Sequence, residues 1–515
     1  MRRVFMRGLY LTAFLALIFI IIANYMGGNT METTLGREDE VEQRDEEEIQ
    51  EENAFSLPYT EIEGVLTFRG DNYRTSPSYG TVSMEDFKVK KLWKVKAEAK
   101  GIWGGGAGWT GQPSLIKWPR DIKEIMDIDD KYKEDEEFVE VIIGSLNGKV
   151  YFIDLKTGEQ TRKPIDTGSP IKGSVSIDTR GYPLLYVGQG IKEREDFGFR
   201  LYSLIDQKQL YLLDGEDEEA PRNWPNFDSS ALFSRQEDTL YVGGENGLFY
   251  KLKLNTVFKP EEKTIDVNPE VSRFKYRRPD EGNSDADSNY GIENSPAAWE
   301  NLIFFADNGG MIKAIDTDLN EIWTVENNDD TDATITIDIE NNEPVIYTGG
   351  QVDKQGDKGI IRILKLQGKT GEILWEKTYK GYNRDGASPS NGGLLGTNII
   401  GKGNISDLAI FSICRTPGFD DGTLVAFHKT TGEEVWKWIM PMYSWPSPVD
   451  VYDKDGKGYI IQVLRSGEVC ILDGATGEVL SETSIDTYIE ASPAVFNNYM
   501  VIASRNGYIY GLELE

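Results

Sequence analysis

The chain has 515 residues with 55 basic and 86 acidic side chains, a formal net charge of −31 and 2 cysteines. Its 11 Trp, 25 Tyr and 21 Phe supply more apolar ring than a disordered chain carries, so disorder of the whole chain is excluded. Two cysteines cannot build a disulfide framework or a thiolate metal cluster, and the acidic charge excludes a phosphate-binding surface for nucleic acid.

The N-terminal residues predict a membrane anchor. Arg2, Arg3 and Arg7 precede an uncharged, mostly apolar run over residues 9–26, which is long enough to cross a bilayer as a helix. The basic flank makes residues 1–8 a short cytoplasmic tail and directs the rest of the chain to the extracellular or periplasmic side of the cell membrane. A cleaved signal peptide is the alternative, but the run is long for a signal and its cleavage site is poor.

Residues 27–58 predict a disordered acidic stalk. The central sequence GREDEVEQRDEEEIQEE, at 36–52, is dominated by like charges that repel one another and keep the chain extended. An isolated acidic helix is the alternative, although it would have no apolar stripe with which to dock. The folded domain is therefore expected at residues 59–515.

One hairpin pattern recurs throughout that domain. A short β-branched or aromatic run, a polar residue with glycine and a second run return about every 40 to 60 residues, a period typical of β-propellers. The turn glycines are Gly148, Gly198, Gly247, Gly310, Gly359, Gly422, Gly467 and Gly507. Eight tight turns of this kind predict an all-β, eight-bladed propeller with four-stranded blades.

Each unit begins with two or three small residues directly before its first strand, here called the small-residue step. Examples are the steps that contain Ser174, Ser230 and Ser295. In the sixth unit the step is assigned to residues 387–389. The eighth unit lacks a fourth strand at its C-terminal end, and the unassigned segment 87–95 is predicted to supply it. Closing the ring in this way would remove exposed sheet edges.

The third and fourth strands of the units share a motif around a Thr-Gly turn. Residues 426–436, AFHKTTGEEVW, have the form A-x-[D/H]-x-x-T-G-x-x-x-W. This motif and the segment LTFRGDNYRTS at 66–76 resemble the pyrroloquinoline quinone (PQQ)-like β-propellers, which include eight-bladed quinoprotein dehydrogenases and the cofactor-free, BamB-like envelope lipoproteins. The resemblance implies structural blade-docking roles for Trp93, Asp154, Gly158, Asp316, Trp323, Gly371, Trp375, His428, Gly432, Trp436, Asp473 and Gly477.

The resemblance also allows a test for an enzyme. Quinoprotein dehydrogenases clamp the quinone between a tryptophan and a disulfide of adjacent cysteines, and they hold calcium with Glu, Asn and Asp side chains. Here Cys414 and Cys470 lie in different units, and the haem motif Cys-x-x-Cys-His is missing. We therefore expect neither PQQ nor calcium, and we assign no catalytic residue. His428, the single histidine, occupies a structural position of the motif.

One constellation of residues points to a ligand. In a propeller the loops that lead into the innermost strands converge on the central channel. The expected ring, with its neighbouring aromatic residues, comprises Trp103, Trp109, Gln112, Lys172, Asp228, Glu293, Asp332, Tyr443, Trp445 and Glu490, and Gly386 takes the sixth position. Such a ring would suit a cation, a basic peptide segment or a sugar. The alternative is that an acidic protein carries acids on every loop.

The sequence thus predicts a membrane-tethered, extracytoplasmic propeller that acts as a non-enzymatic binding or scaffold module. Its expected partner is a protein or a glycan of the cell envelope. A quinone-dependent oxidoreductase with a non-standard cofactor clamp is the main alternative, and an ectodomain sensor is a further one.

Overall fold

The computed structural model describes residues 53–515 except 57, 100–103, 109–110, 277, 279–285 and 385–390. The predicted cytoplasmic tail, the predicted membrane helix at 9–26 and the stalk up to residue 52 lie outside the described residues. No helix in the described part of the chain is long and apolar enough to span a membrane. One compact unit covers Glu52–Glu515.

The described residues form eight blades, and the first four follow in chain order, each given from its inner to its outer strand. Blade 1 contains β4 (Ser114–Ile116), β5 (Glu140–Gly144), β6 (Lys149–Asp154) and β7 (Ile165–Asp166), with β1 (Gly64–Val65) beside β4. Blade 2 contains β8 (Ser176–Ile177), β9 (Leu184–Gly188), β10 (Gly198–Ser203) and β11 (Gln209–Asp214). Blade 3 contains β12 (Leu232–Ser234), β13 (Thr239–Gly243), β14 (Phe249–Lys253) and β17 (Glu270–Phe274). Blade 4 contains β18 (Ala297–Trp299), β19 (Leu302–Ala306), β20 (Met311–Asp316) and β21 (Glu321–Glu326).

The remaining four blades continue the same order. Blade 5 contains β22 (Thr336–Glu340), β23 (Glu343–Gly349), β25 (Lys358–Gln367) and β26 (Ile373–Tyr382). Blade 6 contains β28 (Ile399–Ile400), β29 (Leu408–Cys414), β30 (Gly422–His428) and β31 (Glu434–Met440), with β24 (Gln351–Val352) and β27 (Gly392–Gly393) attached. Blade 7 contains β32 (Val449–Tyr452), β33 (Gly458–Val463), β34 (Glu468–Asp473) and β35 (Val479–Ser484). Blade 8 contains β36 (Ala494–Phe496), β37 (Tyr499–Ser504), β38 (Tyr508–Leu514) and β3 (Val89–Lys96), with β2 (Ser78–Tyr79) beside β36.

Short elements interrupt this repeat. Between β4 and β5 lie two helices, α1 (Arg120–Ile125) and α2 (Asp130–Glu134). A two-stranded hairpin, β15 (Val257–Lys259) and β16 (Thr264–Asp266), precedes β17. Single 3₁₀ turns occupy Pro260–Glu262, Ala286–Asn289 and Gly403–Ile405. These insertions leave the four-strand repeat intact.

The eighth blade is completed by a strand from the other end of the domain. Strand β3 pairs antiparallel with β38, so that Val89 lies opposite Leu514 and Lys96 opposite Tyr508. This confirms the prediction that the segment around 87–95 supplies the missing fourth strand. An apolar cluster then joins blade 8 to blade 1, with Val501 and Ile509 packed in the same core as Val141 and Ile153. Similar clusters lie between the other neighbouring blades, which is where the core of a propeller belongs.

The small-residue steps form hydrogen bonds between neighbouring blades around the channel. The backbone N–H of Ser230 donates to the hydroxyl of Ser295 at 2.9 Å, and the N–H of Ser295 donates to the hydroxyl of Thr334 at 3.0 Å. A short hydroxyl side chain reaches the next blade without crowding the channel, which explains why the repeat needs Ser or Thr there.

The step of the sixth unit is not where the sequence placed it. Thr397 fills this position, because its N–H donates to the Ser447 hydroxyl at 3.0 Å and β28 begins two residues later at Ile399. The predicted residues 387–389, like Gly386, lie outside the described residues. The extra pair of short strands β24 and β27 lengthens the connection and shifts the step along the chain.

The compact unit also begins earlier than residue 59. Ala54 is fully buried and its N–H donates to the side-chain oxygen of Asn301 at 2.8 Å, while Phe55 is 3% exposed and forms a β-bridge with Glu300. The boundary of the predicted stalk is therefore corrected from 58 to about 52. Two apolar residues directly after the charged run were the signal for this docking.

Candidate functional site

Residues 66–76, here called the channel segment, lie against the inner loops of several blades. Arg69 and Arg74 of this segment are fully buried. Arg69 donates through Nη1 to the carbonyl oxygen of Pro448 at 2.6 Å and through Nη2 to that of Asn398 at 2.9 Å. Arg74 donates through Nε to the carbonyl oxygen of Pro296 at 2.7 Å. The channel segment therefore ties the inner loops of blades 4, 6 and 7 together and fills the channel between them.

A cavity of about 690 Å³ lies next to the channel segment, whose Phe68 lines it. Its other walls come from the loops that precede the inner strands of blades 1 to 7 and from hairpin turns on the same side of the ring, which is called the cavity face below. Because the blades hold these loops around one space, the cavity is a preformed concave site.

Five residues of the predicted ring line this cavity. They are Lys172, Asp228, Glu293, Asp332 and Trp445. In the sixth position stands a leucine, because the shifted step of blade 6 brings Leu395 to the cavity wall.

The other predicted ring residues have different contacts. Gln112 accepts a hydrogen bond from the N–H of Arg69 at 2.7 Å, Glu490 forms an ion pair with Arg505 at 2.7 Å, and Tyr443 faces the Arg415 guanidinium at 4.1 Å. None of these three belongs to the described cavity lining. Trp103 and Trp109 lie outside the described residues.

Several cavity residues were missed by the sequence reasoning. Glu245 and Asn308 lie in the hairpin turns of blades 3 and 4, next to the turn glycines, and Asp330 precedes the predicted Asp332 by two positions. Arg222 and Lys354 add two basic side chains. The available signal was that these hairpin turns lie on the same face of a propeller as the loops leading into the inner strands.

One half of the cavity contains a lysine held by acids. The Lys172 ammonium forms an ion pair with Asp228 and lies 3.6 Å from Glu245. All three side chains are at least nine-tenths buried. Arg222 donates to the carbonyl oxygens of Tyr290 at 3.0 Å and Glu245 at 3.3 Å. This half of the site therefore holds its own cation.

The other half of the cavity is acidic and is formed by Glu293, Asp330, Asp332 and Asn308. Asn308 donates through Nδ2 to Glu293 at 2.8 Å. Asp330 Oδ1, Asp332 Oδ1 and Asn308 Oδ1 are buried and have no hydrogen-bond partner among the described residues. The nearby Lys354 ammonium donates to the Asn308 carbonyl oxygen at 2.6 Å and to the Asn289 side chain. These contacts leave buried oxygen acceptors facing the cavity.

Burial raises the pKa values of the cavity carboxyls. The pKa is raised to about 6 at Asp228, to about 8 at Glu245, to about 7 at Glu293 and at Asp332, and well above the ordinary range at Asp330. Desolvation is the largest cause in each case, because a low-dielectric site disfavours the charged form. The neighbouring acids add to it, whereas the Lys172 charge lowers the pKa of Asp228 and Glu245.

The two cysteines of the chain lie in different blades of the propeller. Cys414 and Cys470 are buried free thiols on β29 and β34, so they do not form the disulfide of adjacent cysteines that clamps the quinone in the dehydrogenases. One group of described carboxylates has its oxygens within 4.8 Å of one another, as a metal site would need: Asp228, Glu245 and Glu293. The Lys172 ammonium already pairs with two of them.

The motif tryptophans lie between blades. Trp93, Trp323, Trp375 and Trp436 each donate through Nε1 to a carbonyl oxygen in the next blade, at 2.8, 2.7, 2.8 and 3.1 Å. Each indole covers the turn glycine of that neighbour, in the order Gly158, Gly371, Gly432 and Gly477. A methyl group on these glycines would collide with the indole, so the turn needs glycine for contact as well as for its positive φ.

The polar residue that opens each of these turns binds the turn backbone. The Asp154 carboxylate accepts from the N–H of Thr157 at 2.7 Å, and Asp316 and Asp473 accept backbone N–H groups in the same way. The His428 ring accepts from the N–H of Thr430 at 3.2 Å through Nδ1. His428 thus takes the place of the motif aspartate in its turn.

Comparison with known proteins agrees with this architecture. The quinohemoprotein alcohol dehydrogenase of Comamonas testosteroni matches with a TM-score of 0.59 at 12% identity, over 88% of this chain and 80% of that one. The quinohemoprotein alcohol dehydrogenase ADHIIG of Pseudomonas putida HK5 matches with a TM-score of 0.58 at 11% identity and the same coverage. At such identity the likeness shows the fold alone.

In sequence, the chain is similar to the outer membrane protein assembly factor BamB of Kangiella koreensis, at 32% identity over 93 residues. That alignment spans 18% of this chain and 23% of the relative. No protein family model matches the chain. The chain is thus an eight-bladed β-propeller that resembles PQQ quinoprotein dehydrogenases and BamB.

Proposed function

We propose that this protein is an extracytoplasmic, membrane-tethered scaffold of the cell envelope that binds a protein partner on the cavity face of its propeller. The observation that carries the proposal is the cavity beside the channel segment, with loops of seven blades forming its wall. A rigid ring that offers one preformed concave site on its loop face is suited to recognition.

Two further observations support an envelope scaffold. The local similarity to BamB links part of the chain to a protein of outer-membrane assembly. The apolar run at 9–26 and the acidic stalk would hold the propeller at a distance from the membrane surface. The buried carboxyls favour a basic protein segment over a glycan, because a cationic side chain adds the attraction of opposite charges to the hydrogen bonds that a glycan hydroxyl would also form.

The test is site-specific photo-crosslinking of the full-length chain in its native membranes. A photoreactive residue replaces Ile191 at the cavity wall, and the matched control replaces Ile373, which is 40% exposed on the outer strand of blade 5. We expect a discrete protein adduct from position 191 and none from position 373. Equal labelling at both positions, no adduct at 191, or an adduct that is sensitive to glycosidase and not to protease would contradict the proposal.

A further inference from the structure

The cavity has two acidic halves, and in one of them the Lys172 ammonium already pairs with the carboxylates of Asp228 and Glu245. In the other half the Lys354 ammonium donates to the Asn308 carbonyl oxygen and to Asn289, and it forms no ion pair with an acid among the described residues. We propose that the half formed by Glu293, Asp330, Asp332 and Asn308 binds a second cationic group, the ammonium or guanidinium of a lysine or arginine side chain that a protein partner inserts. The inference rests on the proposed function and names the chemistry that the cavity recognises.

The first argument is the balance of donors and acceptors. The basic side chains among the described cavity residues are already engaged: Lys172 with Asp228 and Glu245, Arg222 with backbone carbonyls, and Lys354 with Asn289 and Asn308. Asp330 and Asn308 are each 6% exposed, yet an oxygen of each has no donor among the described residues. Buried acceptors without donors are costly, and an entering group with several N–H donors would satisfy them.

The second argument distinguishes an organic cation from a metal ion. The carboxylates spaced for one ion are Asp228, Glu245 and Glu293, and the Lys172 nitrogen pairs with this group. Asp330 and Asp332 are not part of that cluster within the described residues. An ammonium presents three donors and a guanidinium five, so either can satisfy several of these buried acceptors at once.

The third argument is that Lys172 shows how such a group is held. Its aliphatic stem packs against the backbone at Gly190, where an added Cβ would lie 2.6 Å from Lys172 Cε, and only its nitrogen meets acids. The cavity wall offers the same combination, because Ile191, Leu395 and Trp445 line it together with the acids. An aliphatic stem with a charged end fits such a mixed surface.

The experiment is calorimetric titration of the purified full-length chain at pH 8. The probes are Nα-acetyl-lysine amide, its neutral isostere Nα-acetyl-norleucine amide, spermidine and calcium chloride. The variant is Asp330→Asn with Asp332→Asn, and Asp332→Asn alone serves as a second variant. Glu372→Gln with Glu433→Gln is the matched control, because it removes two charges from exposed turns between the third and fourth strands.

We expect saturable binding of the lysine amide, at least 10-fold weaker binding of the norleucine amide, and a loss of at least 10-fold in the Asp330→Asn/Asp332→Asn variant with no change in the control. Equal binding of lysine and norleucine amides, no binding of the lysine amide, or calcium binding that displaces it would overturn the inference. Spermidine binding at least 10-fold tighter than the lysine amide would also overturn it, in favour of a free polyamine as the ligand.

Failure of this inference can be distinguished from failure of the proposed scaffold function. If crosslinking at position 191 persists in the Asp330→Asn/Asp332→Asn variant, the proposed scaffold function is supported. The same result refutes the proposal that a partner inserts a basic side chain into this half of the cavity. Lysine-amide binding without any protein adduct would refute the protein scaffold and point to a small-amine site.

Discussion

Arg69 donates through Nε to the carbonyl oxygen of Arg74 at 3.3 Å, yet their guanidinium groups serve different sectors of the ring. Arg69 binds the inner loops of blades 6 and 7, and Arg74 binds those of blades 3 and 4. Burial lowers the pKa of both to about 10, so both remain charged at neutral pH. One short segment therefore holds two sectors of the propeller at a fixed distance.

Replacing Arg74 tests this link. Arg74→Met would leave the carbonyl oxygens of Pro296 and Phe68 without their donor, and we expect a loss of about 3 to 5 kcal/mol in the free energy of unfolding. Chemical denaturation followed by tryptophan fluorescence measures it. Arg120→Met, at an exposed position of α1, is the control and should change stability by less than about 0.5 kcal/mol. Equal losses in both variants would refute the link.

Two turn glycines with similar φ angles allow the cost of a left-handed backbone to be measured separately from the cost of a clash with a neighbouring side chain. Gly477 has φ +72° and an added Cβ would lie 2.4 Å from Trp436, whereas Gly456 has φ +80° with nothing within 4 Å. Gly456→Ala should cost about 1 kcal/mol for the left-handed backbone alone. Gly477→Ala should cost about 1 to 3 kcal/mol more, because the indole must move. Thermal and urea unfolding of the two variants give the comparison, and equal costs would mean that the Trp436 contact adds nothing.

The inter-blade tryptophans should dominate stability over exposed ones. Trp375→Ala removes a 9% exposed indole and its 2.8 Å hydrogen bond to the Lys429 carbonyl oxygen, and we expect a loss of about 3 to 5 kcal/mol. Trp224 is 46% exposed at the cavity edge, so Trp224→Ala should cost less than about 1 kcal/mol. Urea denaturation midpoints provide the measurement. A neutral Trp375→Ala would show that the blades associate without the docked indole.

The cavity acids should make the unliganded protein less stable as the pH rises. An unfolded aspartate titrates near pH 4, whereas burial and the charge of Glu293 raise the pKa of Asp332 to about 7. Between these values the native state keeps a proton that the unfolded state has lost, so stability falls as the pH rises through this window. The other charged or titratable side chains that line the same cavity are Lys172, Arg222, Asp228, Glu245, Asp330, Asp353 and Lys354.

Asp332→Asn removes the loss of stability at high pH, because an amide resembles the protonated carboxyl and does not ionise. The gain in the free energy of unfolding should be larger at pH 8 than at pH 4.5, by about 2 kcal/mol or more. Denaturation curves at the two pH values measure it, with Glu372→Gln as the exposed control. A gain that is independent of pH would contradict the raised pKa.

Binding of a cation should have the opposite pH dependence. The lysine amide stays protonated at pH 5 and at pH 8, whereas the raised pKa values, about 7 at Glu293 and Asp332, mean that these carboxyls are neutral at the lower value. We expect its dissociation constant to be at least 10-fold lower at pH 8, with proton release on binding. Calorimetry in buffers of different ionisation enthalpy detects those protons. Affinity that does not change with pH would show that the ligand contacts other groups.

The sequence repeat predicted most of the fold because each propeller blade is marked by residues that lie close together in the sequence. Gly477 and Trp436 lie at fixed distances along the motif, so each could be recognised in one dimension. The position of the sixth step at Thr397 could not be recognised, because the β24 and β27 pair is formed by residues some 40 positions apart and has no periodic signature.

The candidate site was harder to predict for a physical reason. Counting back from the small-residue steps found Asp228 and Glu293, but Gln112 and Glu490 face Arg69 and Arg505, whose positions depend on the tertiary structure. Glu245 was not predicted because a hairpin turn is usually interpreted as a connection between strands and not as part of a cavity wall. A rule based on one loop per blade therefore identifies only part of a cavity built from two loops per blade.

The pairing of β3 with β38 also governs the order in which the molecule can be assembled. Residues 89–96 emerge from the ribosome long before residues 508–514, and β38 is the one strand that pairs with β3 among the described residues. During synthesis, β3 is thus an unprotected strand that is open to pairing with other chains. A chaperone that holds this segment would protect the nascent protein until its last blade arrives.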